Sequence, residues 1–422
     1  MKNALIKLSG LSIFICTVGF AEIPVGNGAF QLDTSLMGVY DSNLRDSASE
    51  ISDYYLSFDP TLRYRRLGSR FNTEAQVGLR ARRYMDHPIY NSNDADASFN
   101  WGMQRVDGHT TAAALSLHYT EYTEAVLDVN ERVRTKAFNA STSGEVLVAD
   151  RNLLSAGISY RDNQHDIGSD QKSSSARMGY SFIGFTDGTA LNFNYLHQQN
   201  KSTENTVDMV MLDQKAETVS VGVTHPIYDQ LTSSLTYGYR WLDRGAQEAR
   251  LGLINRQGTF YAISFDGPFL PRKYFPKTTA SFRISYEQAE APGLNDPSNK
   301  RLVGQMNISW AVRETTTLAA FASRSQDLTI NDNTVVNEVV GVSLRQAVGS
   351  FIETNFSLRY TYANFVNLVR SDDRYEARAG ATYKINRAWS SGATYSFLKS
   401  ESNVVVANFR RHLVTATLTY AF

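Results

Sequence analysis

Charged and amide side chains recur at every second position along much of this 422-residue chain. Arg63 and Arg65 stand two apart, as do Glu74 and Gln76, Arg80 and Arg82, Asn192 and Asn194, Glu353 and Asn355, and Glu376 and Arg378. A spacing of two places side chains on one face of a β-strand. Such a face offers guanidinium planes, carboxylates and amides, groups suited to holding carboxylates and sugar hydroxyls. Its natural chemistry is the recognition or passage of an anionic or polyhydroxyl solute. Covalent chemistry is poorly served. The 7 histidines (His87, His109, His118, His165, His197, His225 and His412) form no HExxH, and no GxSxG elbow occurs. Ser116 and His118 share a face, but a Ser/His pair two residues apart arises readily by chance. No glycine-rich phosphate loop is present. No enzyme, cofactor or metal centre is expected. The acidic segments Asp41-Ser42-Asn43 and Asp372-Asp373 read as solvated loop tips.

The polar face needs an apolar one behind it, and the sequence supplies it. Tyr54, Leu56, Phe58, Leu62 and Tyr64 alternate with Ser57, Asp59, Arg63 and Arg65; Phe71, Val77 and Leu79 alternate with Glu74, Gln76, Arg80 and Arg82. The rhythm continues through Leu154-Ala156-Ile158-Tyr160, Leu235-Tyr237-Tyr239-Trp241 and Phe356-Leu358-Tyr360-Tyr362, read at alternate positions. The stretch from Arg132 to Leu147 has an ambiguous register and suggests a bulge. The last ten residues put Val414, Ala416, Leu418, Tyr420 and Phe422 on one face and hydroxyl-bearing threonines on the other. A strand that ends on an aromatic suits the interfacial belt of a membrane barrel, with Tyr420 and Phe422 as its interface and assembly residues.

Connections alternate in length. Short ones fall near Leu67-Gly68, Asp107-Gly108, Asp150-Arg151, Asp187-Gly188, Tyr228-Asp229, Gly349-Ser350 and Ser390-Ser391. Longer polar ones run over 41–52, 86–94, 123–130, 164–171, 200–213, 288–300, 331–333 and 367–374. Short periplasmic turns and longer external loops are the asymmetry of an outer-membrane barrel. Proline is scarce (9), while tyrosine (23) and phenylalanine (22), both strand-favouring, are abundant. No stretch after residue 21 is apolar enough for a spanning helix, which needs ~20 residues. The expected fold is therefore all-β: a transmembrane antiparallel up-and-down barrel of about 18–20 strands, bacterial outer-membrane type. Its first strand, near Phe30 to Tyr40, must pair with its last, because lipid cannot satisfy an open sheet edge.

In that fold the polar face becomes the lumen. Its candidate lining residues are Arg63, Arg65, Glu74, Arg80, Arg82, Arg177, Arg240, Arg283, Glu353, Arg359, Arg378 and Lys384, with cations in excess. They support two readings equally: a water-filled conduit for an anionic or polyhydroxyl solute, or an interior that neutralises itself. The second predicts Arg63 against Glu74 and Arg345 against Glu353. Tyr40, Tyr84, Tyr122, Tyr160, Trp241, Tyr286, Trp310, Tyr362 and Trp389 fit interfacial girdles.

Met1 to Ala21 reads as an export signal: Lys2 and Lys7, then the apolar run Leu11 to Val18, then Gly19-Phe20-Ala21 as a cleavage pattern. The barrel is then one unit, 22–422. The one cysteine, Cys16, lies in the signal, with Ile15 where a lipoprotein needs a small residue. Charge is balanced at 42 basic against 42 acidic residues, which gives no nucleic-acid surface. No peptidoglycan-binding module and no plug ahead of the first strand is seen, which weighs against an energy-coupled receptor.

Gly38-Val39-Tyr40-Asp41-Ser42-Asn43-Leu44, Ser57-Phe58-Asp59-Pro60-Thr61-Leu62-Arg63-Tyr64 and Arg80-Ala81-Arg82-Arg83-Tyr84 together resemble the outer-membrane β-barrel porins of the "porin 2" type. That family accompanies capsule and exopolysaccharide biosynthesis in Gram-negative bacteria. Beyond about residue 120 the likeness is one of hairpin rhythm and terminal aromatic. The resemblance implies an outer-membrane conduit serving exopolysaccharide export, with polysaccharide and its export machinery as partners. Outer-membrane lipid, and the barrel-assembly machinery acting on the last strand, complete the expected partners. A general diffusion porin for small polar solutes, and a structural or adhesive surface protein, are the alternatives.

Overall fold

The computed structural model describes residues 23–421 apart from 107–109, 127–130, 185–187, 204–212, 229, 245–255, 269–276, 291–298, 329–333 and 366–368. The export signal and Phe422 therefore lie outside the described residues, as do Asp107-Gly108, Asp187 and Asp229 of the expected turns. A short β1 (Ile23–Val25) folds back on β2 (Gly28–Asp41). There follow β3 (Asp53–Leu67), β4 (Phe71–Tyr84), β5 (Ser92–Met103), β6 (Thr111–Val126), β7 (Glu131–Ala149), β8 (Asn152–His165), β9 (Asp170–Ile183) and β10 (Ala190–Thr203). The second half comprises β11 (Asp213–Tyr228), β12 (Leu231–Arg244), β13 (Arg256–Gly267), β14 (Thr278–Glu290), β15 (Asn299–Arg313) and β16 (Thr316–Leu328). Last come β17 (Thr334–Val348), β18 (Ile352–Phe365), β19 (Arg370–Lys384), β20 (Trp389–Ser402) and β21 (Phe409–Ala421).

Each strand from β2 onward pairs antiparallel with the next, and β2 also pairs with β21, from Asp33↔Ala421 to Asp41↔Leu413. The sheet thus closes on itself as a 20-strand barrel. Closure is what lets a sheet satisfy its backbone in lipid. The strands run from 12 residues (β5) to 19 (β7), and about 10 tilted residues suffice to cross, so they reach past the hydrocarbon layer.

Alternation sorts the faces as expected. Leu32, Phe58, Leu62, Val77, Ile158, Met178, Leu235, Val340 and Leu358 are exposed on the outer wall. Aromatic side chains pair across strands in two girdles. Phe30–Tyr64 (5.0 Å) and Trp389–Tyr420 (4.8 Å) lie toward the short turns, Tyr40–Tyr54 (4.8 Å) and Tyr360–Tyr375 (5.3 Å) toward the long loops. Tyr84 does not join them: it is 6% exposed and stacks on the inward Tyr55 at 4.7 Å. Tyr122, cross-strand from the buried Thr135, also faces inward. Both were expected in the girdle; near the mouth an aromatic can serve the interior instead.

Short turns include Asp150-Arg151, Glu314-Thr315 and the turn at Gly349, whose φ of 64° favours glycine. Ser390-Ser391 are not a turn: β20 starts at Trp389, and the reversal occupies 385–388. The bulge expected in β7 falls between Leu147 and Ala149. The loop expected over 41–52 matches the gap between β2 and β3.

Candidate functional site: the lined interior and its outer mouth

All twelve lining candidates sit on the face opposite the apolar wall, and most are engaged in ion pairs with neighbouring strands. The β3–β4 register differs by two residues from the simplest hairpin: Arg63 opposes Gln76, and Glu74 opposes Arg65. Arg63 still reaches Glu74 diagonally (3.6 Å), as well as Asp33 (3.7 Å) and Gln76 Oε1 (3.2 Å). Arg80 bonds Asp59 at 3.1 Å; Arg82 lies 3.8 Å from Asp94. Arg240 pairs with Glu287 (3.0 Å) and Arg359 with Glu376 (3.6 Å). Arg345 and Glu353 are 2.7 Å apart, again diagonally, since Arg345 opposes Asn355. Arg65, Arg177, Arg283 and Arg378 have no carboxylate within ion-pair distance among the described residues. Lys384 faces inward at the short-turn end of β19.

Two recesses open in this lining. One of about 460 Å³ lies over β14–β16 and includes Arg283, Gln305, Ser323 and Ser325. The other, about 590 Å³, spans β4–β10 with Asn72, Gln104, Glu145, Arg177 and Asn194. Phe260 and Phe321 interrupt the polar face, with Arg240 5.9 Å above the first ring and Arg359 5.5 Å above the second. Phe321 lies across Gly341 of the adjacent strand, where a Cβ would come within 2.5 Å of the ring. Alternation alone hides these rings; an aromatic cross-strand from a glycine is the signal that marks them.

The outer mouth is more tightly built than the sequence suggests. The loop 42–52 folds back over the β2–β21 seam instead of standing in solvent. Asp41, Asn43 and Leu44 are fully buried and Asp46 is 7% exposed. Arg411 of β21 bonds Asp41 (2.9 and 2.6 Å) and Asp46 (3.1 and 3.1 Å). Asn43 donates to Ser47 O at 2.8 Å and Arg410 O at 3.3 Å. From β7, Arg132 reaches Leu44 O at 3.2 Å, so the loop lies across one side of the mouth. Arg45 bonds Tyr90 Oη at 2.6 Å and lies 3.4 Å from Glu131. Burial pushes the Asp46 carboxyl up from 3.8 to about 6, with Asp41 adding to the rise and Arg411 and Arg132 opposing it.

Asp372, expected in a solvated tip, is equally enclosed: Arg370 and Arg374 each bond it at 2.9 Å. Asp53 caps the 85–91 loop, accepting from the backbone of Asp86 and His87. Beyond Asp96↔Thr120 the β5–β6 pairing stops, although both strands continue. Arginines fill that breach: Arg82 and Arg132 donate to Thr123 O (2.8 and 2.9 Å), and Arg134 donates to Asn93 O (3.2 Å).

The chain matches the family model "Putative beta-barrel porin 2" over residues 295–422. That range excludes the segments at 38–44, 57–64 and 80–84 that carry the resemblance in the sequence; short strand motifs carry little specificity, and the closing hairpins carry more. No protein of curated function matches significantly. Among solved structures, a ferric enterobactin receptor (PfeA) variant from Pseudomonas aeruginosa aligns with TM-score 0.55 and 7% identity, over 93% of this chain and 81% of that one. The siderophore receptor PirA from Acinetobacter baumannii gives 0.51 and 8%, over 95% and 81%. The ferric citrate transporter FecA, unliganded, gives 0.51 and 9%, over 93% and 78%. At such identities the likeness is one of fold. Fold and family match together make this a porin-like β-barrel of outer-membrane type.

Proposed function

We propose that the barrel is a passive conduit for anionic, hydroxyl-rich solutes, serving exopolysaccharide export. The observation that carries this is the set of inward arginines with no carboxylate within ion-pair distance among the described residues, Arg65, Arg177, Arg283 and Arg378, spread over β3, β9, β14 and β19. A lining meant only to neutralise itself would pair them. Their planar donors fit uronate carboxylates and vicinal hydroxyls. The Arg240–Phe260 and Arg359–Phe321 contacts add aromatic planes of the kind that sugar rings pack on. A 20-strand wall is wide enough for an aqueous path.

Single-channel recording of the refolded protein in a planar bilayer, with and without an acidic oligosaccharide, tests this. Stable openings blocked by the oligosaccharide, with block weakened in an Arg283→Gln/Arg378→Gln double variant, are expected. Open channels indifferent to it would refute the polysaccharide role in favour of a general porin. A folded barrel without conductance would refute the conduit.

A further inference from the structure

Among the described residues, outward charge at the long-loop end of the barrel is distributed unevenly between its two sides. On β16–β21, outward charges beyond the aromatic girdle cancel: Arg324 pairs with Glu338 at 2.5 Å, Lys399 with Glu401, and Arg410 is balanced by Asp373. On β4–β10 they do not. Among the described residues, Arg83, Arg134, Lys136, Lys172 and Lys201 face outward against Glu121, Asp162 and Asp170, with Asp213 of β11 beside Lys201. These positions lie one or a few steps along the strands from the girdle residues Tyr119, Phe138, Tyr160 and Tyr195.

Two guanidiniums are gathered at one point. Arg83 donates to Asn93 Oδ1 (2.7 Å) and to the carbonyls of Arg82 (2.8 Å) and Ser92 (3.0 Å). Arg134 donates to Asn93 O (3.2 Å) and to Glu121, whose carboxylate is also held by Tyr119. Lys136, exposed and next along the same face, has no carboxylate within ion-pair distance among the described residues. Arg83 has none either; only neutral acceptors hold it. Lys172 and Lys201 are paired loosely, with Asp162 at 3.6 Å and Asp213 at 3.8 Å, and both ammoniums are about half exposed. Clustered like charges at a lipid boundary are stabilised by anionic headgroups, and basic pockets at membrane level are read as headgroup sites.

We propose that the outward cluster Arg83–Arg134–Lys136, extended by Lys172 and Lys201, binds the phosphates of a phosphorylated glycolipid of the outer leaflet. Asn93 holds both guanidiniums, Arg83 through its side-chain oxygen and Arg134 through its backbone carbonyl, and their forks match phosphate geometry. The phosphates supply the negative charge that Arg83 and Lys136 lack among the described residues. The inference rests on the outer-membrane placement but not on the conduit reading, because the cluster faces away from the lumen.

The test is the thermal midpoint of the detergent-solubilised full chain with lipid A, with enzymatically dephosphorylated lipid A, and with inorganic phosphate. Lipid A should raise the midpoint, and the dephosphorylated lipid and free phosphate should not. Arg83→Ala/Lys136→Ala should lose most of the rise while keeping wild-type conductance; Lys136→Gln alone, at an exposed position, should lose part of it. Equal rises with and without phosphates on the lipid, an equal rise with inorganic phosphate, or a full rise in the double variant would overturn the assignment. Conductance is read separately, so failure of the conduit and failure of the lipid site are distinguishable.

Discussion

Replacing Arg411 by alanine should release the 42–52 loop while leaving the barrel closed. Arg411 makes four bonds, at 2.6 to 3.1 Å, to two carboxylates, of which Asp41 is fully buried and Asp46 is 7% exposed. Truncation leaves both acids enclosed beside each other, with Arg132 still acting on Asp46. Removing one partner of a buried ion pair costs about 3–5 kcal/mol. The wall does not depend on this side chain: β2 and β21 pair through backbone from Asp33↔Ala421 to Asp41↔Leu413. The penalty therefore falls on the packed loop, and about 3 kcal/mol is a more than hundredfold shift toward its unpacked form. Trypsin cleavage after Arg45 reads that population directly, and single-channel conductance reads its effect on the mouth. The wild type should resist cleavage; Arg411→Ala should be cut at Arg45, still migrate as a folded barrel, and conduct more. Arg411→Lys should fall between, since one ammonium cannot bond both carboxylates with paired donors. An Arg411→Ala protein as protected as wild type, with unchanged conductance, would refute the account of the mouth.

Four further outcomes follow from the structure. Leu358→Arg, on the exposed outer wall, should hinder insertion by about 2–4 kcal/mol if near the midplane. Arg359→Leu, one residue away and facing Glu376 and Phe321, should insert normally and change selectivity, as urea titration in lipid vesicles and reversal potentials will report. Asp46 has a folded-state pKa raised from 3.8 to about 6, so proton uptake favours the packed loop. Its charged form costs that state about 3 kcal/mol at neutral pH, a cost that disappears as pH falls through 6 towards 4. Cleavage after Arg45 should be faster at pH 8 than at pH 5, after correction for trypsin's own pH profile, and Asp46→Asn should behave at pH 8 as wild type does at pH 5. Gly341→Ala would bring a Cβ within 2.5 Å of the Phe321 ring and should destabilise by about 1–3 kcal/mol, measurable as a lower urea midpoint, with the barrel still assembled.

The division of the chain into strands, and of each strand into a lipid face and a lumen face, was legible in the sequence. Alternation is a local property: it needs only the residue two positions away, and Phe58, Leu62, Val77 and Leu358 declare the outer wall by themselves. Closure followed as well, because an apolar wall with a polar reverse must pair its first strand with its last. Register was beyond reach by two residues at Arg63, since it depends on how many residues the 68–70 turn consumes. The diagonal contacts to Glu74 survived that shift because long side chains span two positions. The mouth was misread for a different reason. Asp41, Asp372 and Tyr84 look like loop tips and girdle until Arg411, Arg370 and Tyr55 are brought to them, and Arg411 lies 370 residues from Asp41. Polar sequence marks a segment as able to meet water; whether it does is decided by which distant strands the closed barrel sets beside it.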